Sequence, residues 1–97
     1  MSEEWAIHRE MGCTRGEFLA WLPGALRGAA FDIDGDLIRS RYAGGEVRIR
    51  IAPAPERKLG LLVLPVLDVW IHFAGIGAAA REEFLKHFDL FTRRGGG

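Results

Sequence analysis

The sequence predicts an α+β fold: a two-layer sandwich in which two helices cover one face of a five-stranded antiparallel sheet. Two segments carry apolar side chains at helical spacing, and the segments between them alternate apolar with polar side chains. Gly and Pro separate these segments at short intervals, as turn residues do. The predicted order of elements is β-α-β-β-β-β-α. Because most of the strands are apolar on one side only, both helices are expected to pack on the same face of the sheet.

The length and composition indicate one globular domain. The chain has 97 residues, of which 48% are hydrophobic, which is enough for a single core. The domain is expected to span 1–97, with 95–97 as a flexible glycine tail. The 13 basic and 13 acidic side chains balance, so neither nucleic acid nor an anionic membrane is an expected partner.

The single cysteine and the N-terminal residues bear on the compartment. Cys13 has no second cysteine with which to form a disulfide or a cysteine-cluster zinc site, which favours a reducing compartment. The first ten residues, MSEEWAIHRE, lack the basic and apolar regions of a secretory signal. We therefore expect a cytoplasmic protein, and no pattern in the chain predicts a cofactor.

The most apolar run of the chain, Leu59–Phe73, has two interpretations. As a helix extended to Ala80, it would be long enough to span a bilayer. Asp68 and His72 would then lie inside the membrane, where ionisable side chains are costly. The run is also rich in valine, which favours strands. We therefore expect a pair of central strands and no contact with a membrane.

The N-terminal residues predict a strand followed by a helix. Trp5–Met11 alternates apolar with polar side chains, and Gly12 ends that strand. Thr14 and Glu17 have the spacing of a capping box, which satisfies free backbone N–H groups at the start of a helix. The apolar positions of the helix are Phe18, Leu22 and Leu26. Pro23 cannot donate a backbone hydrogen bond, so the helix is expected to kink or restart beside it.

The middle of the chain predicts strands joined by tight turns. Asp34-Gly35 and Gly44-Gly45 suit turns that need positive φ. Strands are expected at Leu37–Tyr42, Glu46–Ile51 and Arg57–Leu64, with a stiff loop at Pro53-Ala54-Pro55. Because proline does not fit a central ladder, Pro65 is placed in a turn at Leu64–Val66. The last strand then directs Leu67, Val69, Ile71 and Phe73 towards the core, and Asp68, Trp70 and His72 away from it.

A second helix is predicted at about Ala78–Phe91, followed by Gly95 as a cap. With this helix the element order resembles that of TATA-binding-protein-like and helix-grip folds. In those folds the first strand pairs with the last, and the other strands follow outward. The resemblance lies in element order alone and implies no function.

The face of the sheet away from the helices is the predicted working surface. Its expected partner-binding residues are Arg39, Arg41, Arg48, Arg50, Leu62, Asp68, Trp70 and His72. Leu62 and Trp70 are large apolar groups on a face that should be polar, which indicates a contact surface. A basic end and an acidic end on one face would suit a two-fold homodimer. The alternatives are an ordinary solvated face, and an anionic peptide or nucleic acid held by the arginines.

Two further sites are conceivable from the residue types. His8, Glu10, Asp68 and His72 lie on one face of neighbouring strands and are a candidate metal site, although no local spacing supports it. Cys13 precedes a helix start, where the dipole would lower the pKa of a thiol and make it reactive. The alternative for Cys13 is a buried side chain that fills the strand-to-helix corner.

The C-terminal Arg-Arg-Gly-Gly-Gly resembles the tail of ubiquitin-like and sulfur-carrier proteins, which is activated as an acyl adenylate. The resemblance implies a carrier function ending at Gly97. Those proteins lead into the tail from a strand, whereas a Phe-rich helix precedes it here. The alternative is a helix cap followed by a frayed end.

These observations favour a small interaction module over an enzyme, because the chain has no nucleophile-base pair and no phosphate loop. The module is expected to act through its open sheet face, by homodimerisation or by binding another protein. The alternative is a small-ligand or metal-binding domain with a pocket between helices and sheet, for which the first helix would be a lid.

Overall fold

The computed structural model describes residues 4–96, with side chains described as far as residue 92. The elements in chain order are β1 (Glu4–Met11), α1 (Arg15–Ala25), β2 (Phe31–Asp34), β3 (Leu37–Tyr42), β4 (Gly45–Leu59), β5 (Leu62–Ala74) and α2 (Ala78–Gly96). The five strands form one sheet in the order β1-β5-β4-β3-β2, and all neighbouring strands are antiparallel. The predicted fold class is confirmed. The first strand pairs with the last, as the element order led us to expect.

The division of the middle segment into strands differs from the prediction. Phe31–Asp34 is a strand that pairs with β3, and the two strands predicted around the proline loop are one strand, β4. Pro53 and Pro55 therefore lie within a strand. Pro55 lies where the register between β4 and β5 shifts, between Ala54 and Arg57. Pro53 lies beyond Arg50, where the pairing of β3 with β4 has ended, so it has a strand neighbour on one side only.

The turn between β4 and β5 was predicted at the wrong position. It lies at Gly60-Leu61 rather than at Leu64–Val66, and Pro65 lies inside β5. Pro65 is tolerated there because the pairing of β1 with β5 ends at Met11 and Leu67, so Pro65 has a strand neighbour on one side only. Gly60 has φ +62°, which a glycine adopts without strain and which marks the true turn.

The core lies between the two helices and one face of the sheet. The sheet contributes Ile38, Val47, Ile49, Ile51, Leu67, Val69, Ile71 and Phe73, all with at most 1% of their surface exposed. From α2, Phe84 stacks on Phe88 and meets Phe73 edge-on. Phe88 in turn meets Phe18 of α1 edge-on, so aromatic contacts join both helices to the sheet.

The first helix begins as predicted and remains unbroken. The Thr14 hydroxyl accepts a hydrogen bond from the Glu17 backbone N–H, and the Glu17 carboxylate accepts one from the Thr14 backbone N–H. The helix continues through Pro23 to Ala25, so it does not restart there. Pro23 is exposed, two residues before the helix ends. α1 is therefore a single packed helix rather than a hinged lid.

The second helix is longer than predicted. It runs to Gly96 rather than ending near Phe91. Asp89 of this helix forms an ion pair with Arg9 of β1 at 2.8 Å. Gly97 of the predicted flexible tail lies outside the described residues. Within residues 4–96, no helix has the length and apolar content needed to cross a membrane.

Candidate functional site

The open face of the sheet, opposite the helices, carries the side chains that alternate with the core positions. Cross-strand pairing arranges them in rows. One row consists of Ala6, His72, Arg48, Arg39 and Asp32, and the next consists of His8, Trp70, Arg50, Leu37 and Asp34. The order of strands therefore places arginines from β3 and β4 beside the histidines and Trp70 of β1 and β5.

A groove of about 510 Å³ lies across these two rows. Its lining residues are Glu4, Ala6, Leu37, Arg39, Arg48, Arg50, Trp70 and His72. Three of them, Ala6, Leu37 and Trp70, supply apolar surface, and the arginines contribute aliphatic stems as well as charge. A groove of this composition suits a ligand that has both apolar and anionic groups.

The arginines of the groove are close together and poorly neutralised. Arg39 and Arg48 are direct cross-strand partners, a position in which like charges destabilise a sheet. Arg48 has its Nε 2.7 Å from a carboxylate oxygen of Glu46. Arg50 lies over the ring of Trp70 with its Cζ 5.2 Å from the centroid, a cation-π arrangement. Within residues 4–92, neither Arg39 nor Arg50 has a carboxylate partner.

The carboxylates of β1 and β5 differ, because each already has a partner in the same chain. Asp68 is 2.8 Å from His8 Nε2, and Glu10 is 2.6 Å from the guanidinium of Arg57. Glu4 is 3.0 Å from His72 Nε2. The acidic end of the open face is therefore internally paired. At the basic end Arg48 is paired, whereas Arg39 and Arg50 have no carboxylate within ion-pair distance among residues 4–92.

The ring nitrogen of His72 that does not contact Glu4 is unusual. The Nδ1 atom is buried and has no hydrogen-bond partner among the described residues, although the ring as a whole is half-buried. A polar atom in that position is more costly than one that is hydrogen-bonded. A polar group bound in the groove would lie beside this ring.

Most of the predicted partner-binding residues come together on this face. Trp70, His72, Arg39, Arg48 and Arg50 all line the groove. Arg41 lies one row further along, opposite Glu46, and Asp68 lies on the other side beside His8.

Leu62 does not belong to this group. It pairs with Leu59 beside the turn, eight residues along β5 from Trp70, because the turn is at Gly60-Leu61. The sequence analysis missed Leu37 as a lining residue. Its position two residues before Arg39 was the available signal, since residues two apart on a strand share a face.

The candidate metal site is not assembled. His8 and Asp68 contact each other, but Glu10 is held by Arg57 and His72 by Glu4. Among residues 4–92, no three His, Cys, Asp or Glu side chains are grouped so that they could hold a metal ion.

The surroundings of Cys13 disfavour a reactive thiol. Cys13 is 1% exposed, and burial together with the negative charge of Glu17 raises the pKa of its thiol to about 11. Burial outweighs the attraction of the helix terminus for a thiolate, because the free energy lost when the thiolate leaves water exceeds the free energy gained from the helix dipole.

The space between helices and sheet, where the alternative interpretation placed a ligand pocket, is filled by side chains. Phe18, Phe73 and Phe88 have no exposed surface. The groove lies on the opposite side of the sheet.

Comparisons of the chain with protein-family models, with curated proteins and with solved structures find no match.

Proposed function

We propose that this protein is a non-catalytic interaction module whose open sheet face binds an acidic segment of a partner protein. The partner's carboxylates would pair with Arg39 and Arg50, and an apolar side chain of the partner would lie on Trp70 and Leu37. Charge-assisted hydrogen bonds of this kind are about twice as strong as neutral ones. Buried aromatic and arginine side chains are also the residue types that dominate binding energy at protein interfaces.

The observation that carries the proposal is the group of three arginines, of which Arg39 and Arg50 have no carboxylate within ion-pair distance among residues 4–92. Placing Arg39 directly opposite Arg48 costs stability in the free chain. A bound anionic group offsets that cost, because it neutralises the repulsion. The aromatic surface beside the arginines favours a peptide over an inorganic anion, since a peptide fills both parts of the groove.

The homodimer predicted through this same face is a weaker candidate. The predicted dimer pairs the arginines of one copy with the acidic end of the other, and Glu4, Glu10 and Asp68 of that end already have partners within the chain. Nucleic acid is disfavoured by the balanced total charge and by these acidic groups beside the groove. A cytoplasmic location remains part of the proposal, because the single cysteine has no disulfide partner.

The test is fluorescence anisotropy of a labelled extended peptide that alternates glutamate with leucine. Arg39→Glu is expected to weaken binding by roughly 10- to 100-fold, because it replaces an attraction with a repulsion. Lys86→Glu is the matched control: it makes the same charge change on the exposed surface of α2 and should leave binding unchanged. Added salt should weaken binding by the wild type.

Two outcomes would contradict the proposal. In the first, Arg39→Glu binds the peptide as well as Lys86→Glu does. In the second, a single-stranded oligonucleotide of the same net charge binds more tightly than the peptide. The open-face homodimer is tested separately, by measuring the mass of Trp70→Ala in solution. That substitution would weaken the homodimer. The peptide affinity, in contrast, reports only on binding in the groove.

A further inference from the structure

The end of the β4–β5 hairpin projects beyond the rest of the sheet. We call residues 57–64 the arm. β1 pairs with β5 only as far as Leu67, and β3 pairs with β4 only as far as Arg50, so the arm has no third strand. The molecule is accordingly elongated, with principal extents of 50 × 25 × 24 Å. A two-stranded ribbon of this kind is marginally stable in water without further packing.

The arm is also where the apolar surface of the protein is exposed. The exposed fractions are 55% for Leu59, 102% for Leu61, 62% for Leu62, 52% for Val63 and 39% for Leu64. The other large exposed apolar side chains among the described residues, Trp5, Ile33 and Leu90, lie singly on three different elements. Scattered exposure is ordinary, whereas five neighbouring apolar side chains on one projection indicate a contact surface.

A small apolar cleft lies at the base of the arm. Its volume is about 240 Å³, and most of its lining is apolar. The lining residues are Cys13, Thr14, Arg15, Pro53, Ala54, Glu56, Pro65, Val66 and Leu67. The base and the tip are complementary in shape and polarity, since one is an apolar concavity and the other an apolar projection. From Pro53 at the cleft to Leu59 at the end of β4, the strand covers about 20 Å at about 3.3 Å per residue.

These two features allow a reciprocal contact between two copies. When two arms lie side by side in opposite directions, each tip reaches the base of the other, because the arms have the same length. The two-fold rotation that places the tip of one copy at the base of the other also places the second tip at the first base. The contact therefore closes as a dimer instead of extending into a filament.

The charges of the arm agree with this arrangement. Lys58 lies near the tip and Glu56 lines the cleft, and neither has an ion-pair partner among the described residues. Antiparallel overlap brings Lys58 of one copy towards Glu56 of the other, twice per dimer. A parallel overlap would instead oppose like charges.

We infer that the arm docks against a second copy of this chain, with Leu61 of each protomer in the basal cleft of its partner. The open face is not used in this contact, so the groove with its arginines remains available. The inference is therefore independent of the proposed function, and the two are tested by different measurements.

Sedimentation of the full chain at about 1 to 500 µM is the first test. The wild type is expected to form a dimer, and Leu61→Asp is expected to raise the dimer dissociation constant by at least about 10-fold, because a hydrated carboxylate would replace the apolar side chain at the centre of the contact. Leu90→Asp is the matched control, since Leu90 is 61% exposed but lies on α2. Leu61 makes no core contact, so circular dichroism of the variant should match that of the wild type.

A charge exchange tests the direction of the arms. Lys58→Glu leaves acids at both positions, and Glu56→Lys leaves bases at both, so each variant should dimerise more weakly than the wild type by roughly 3- to 10-fold. An equal mixture of the two should form a mixed dimer at least as tight as that of the wild type. An attraction within one arm cannot produce this result, since each variant chain carries like charges at both positions.

Any of four results would overturn the inference. One is a monomeric wild type at about 500 µM, and another is a dimer that Leu61→Asp and Leu90→Asp weaken equally. A third is a mixture of the charge variants that dimerises no better than either alone. The fourth is a monomer whose arm binds vesicles containing anionic lipid, with binding lost in Leu61→Asp, which would make the arm a membrane contact.

Discussion

The two halves of the β4–β5 hairpin both contain apolar cross-strand pairs, but in opposite environments. In the body of the sheet, the cross-strand partners Ile49 and Ile71 have no exposed surface. On the arm of the same two strands, the partners Leu59 and Leu62 are more than half exposed. The difference lies in what covers them, because the helices and flanking strands extend over the body and stop before the arm. The pattern of apolar residues is enough to form a pair of strands. Which of those apolar side chains are buried depends on how far the helices and the flanking strands extend over them.

Truncating one apolar side chain in each half should give the largest difference. Ile71→Ala is expected to lower the free energy of unfolding by about 2 to 5 kcal/mol, because it leaves a cavity in a packed core. Leu62→Ala should change it by at most about 0.5 kcal/mol in the monomer, since its side chain is largely in water already. Urea denaturation at low micromolar concentration measures both. Comparable losses would mean that the arm is packed in solution.

Glycines in the two halves should respond differently to substitution. A Cβ on Gly45 would overlap the carbonyl oxygen of Ala74 and the side chain of Ile76, so Gly45→Ala is expected to cost about 1 to 3 kcal/mol. Gly60→Ala meets no atom within 4 Å and should cost about 1 kcal/mol, owing to its φ of +62°. Gly60→Asn should recover part of that loss, because asparagine tolerates this conformation, and Gly45→Asn should not. Thermal or urea unfolding of the four variants separates the two causes.

Cys13, at the border between body and arm, gives the smallest effect. With a thiol pKa of about 11, its thiolate fraction at pH 8 is about 1 in 1,000, roughly 100-fold below that of a thiol with a pKa of 9.0. Iodoacetamide labelling of the folded chain should be slower by about that factor than labelling in urea. The fold favours the protonated thiol, so this contribution to stability is complete below pH 9 and declines as the pH rises towards 11. Equal labelling rates would show that this corner opens.

The open face shows which parts of a binding site can be predicted from a sequence. The alternation of β4 and β5 correctly assigned Arg48, Arg50, Trp70 and His72 to the side away from the core. The pairing of strands was needed to show that Arg39 lies opposite Arg48 and that the acids have internal partners. Which side chains share a row depends on register, and register is a property of two strands rather than of either sequence.

The misplaced turn has a similar cause. Pro65 was expected to end a strand because a central strand needs every backbone N–H. β1 pairs with β5 only from Leu67 onward, so the residues of β5 before Leu67, including Pro65, have no neighbour on that side. The requirement therefore does not apply to Pro65. The error placed Leu62 beside Trp70 and concealed the arm. Gly60, beside Leu61, was the local signal for the turn, but only the extent of the neighbouring strands decided between the two positions.

The sequence by itself determined the fold class, the capping box of α1, and which side chains of the main strands face the core. These depend on local periodicity and on side-chain chemistry within a few residues. The tertiary structure alone decided where the sheet loses its third strand, which charges find partners, and which apolar side chains stay in water. Those outcomes depend on how far separate elements extend beside one another, and that distance is fixed only when the elements pack.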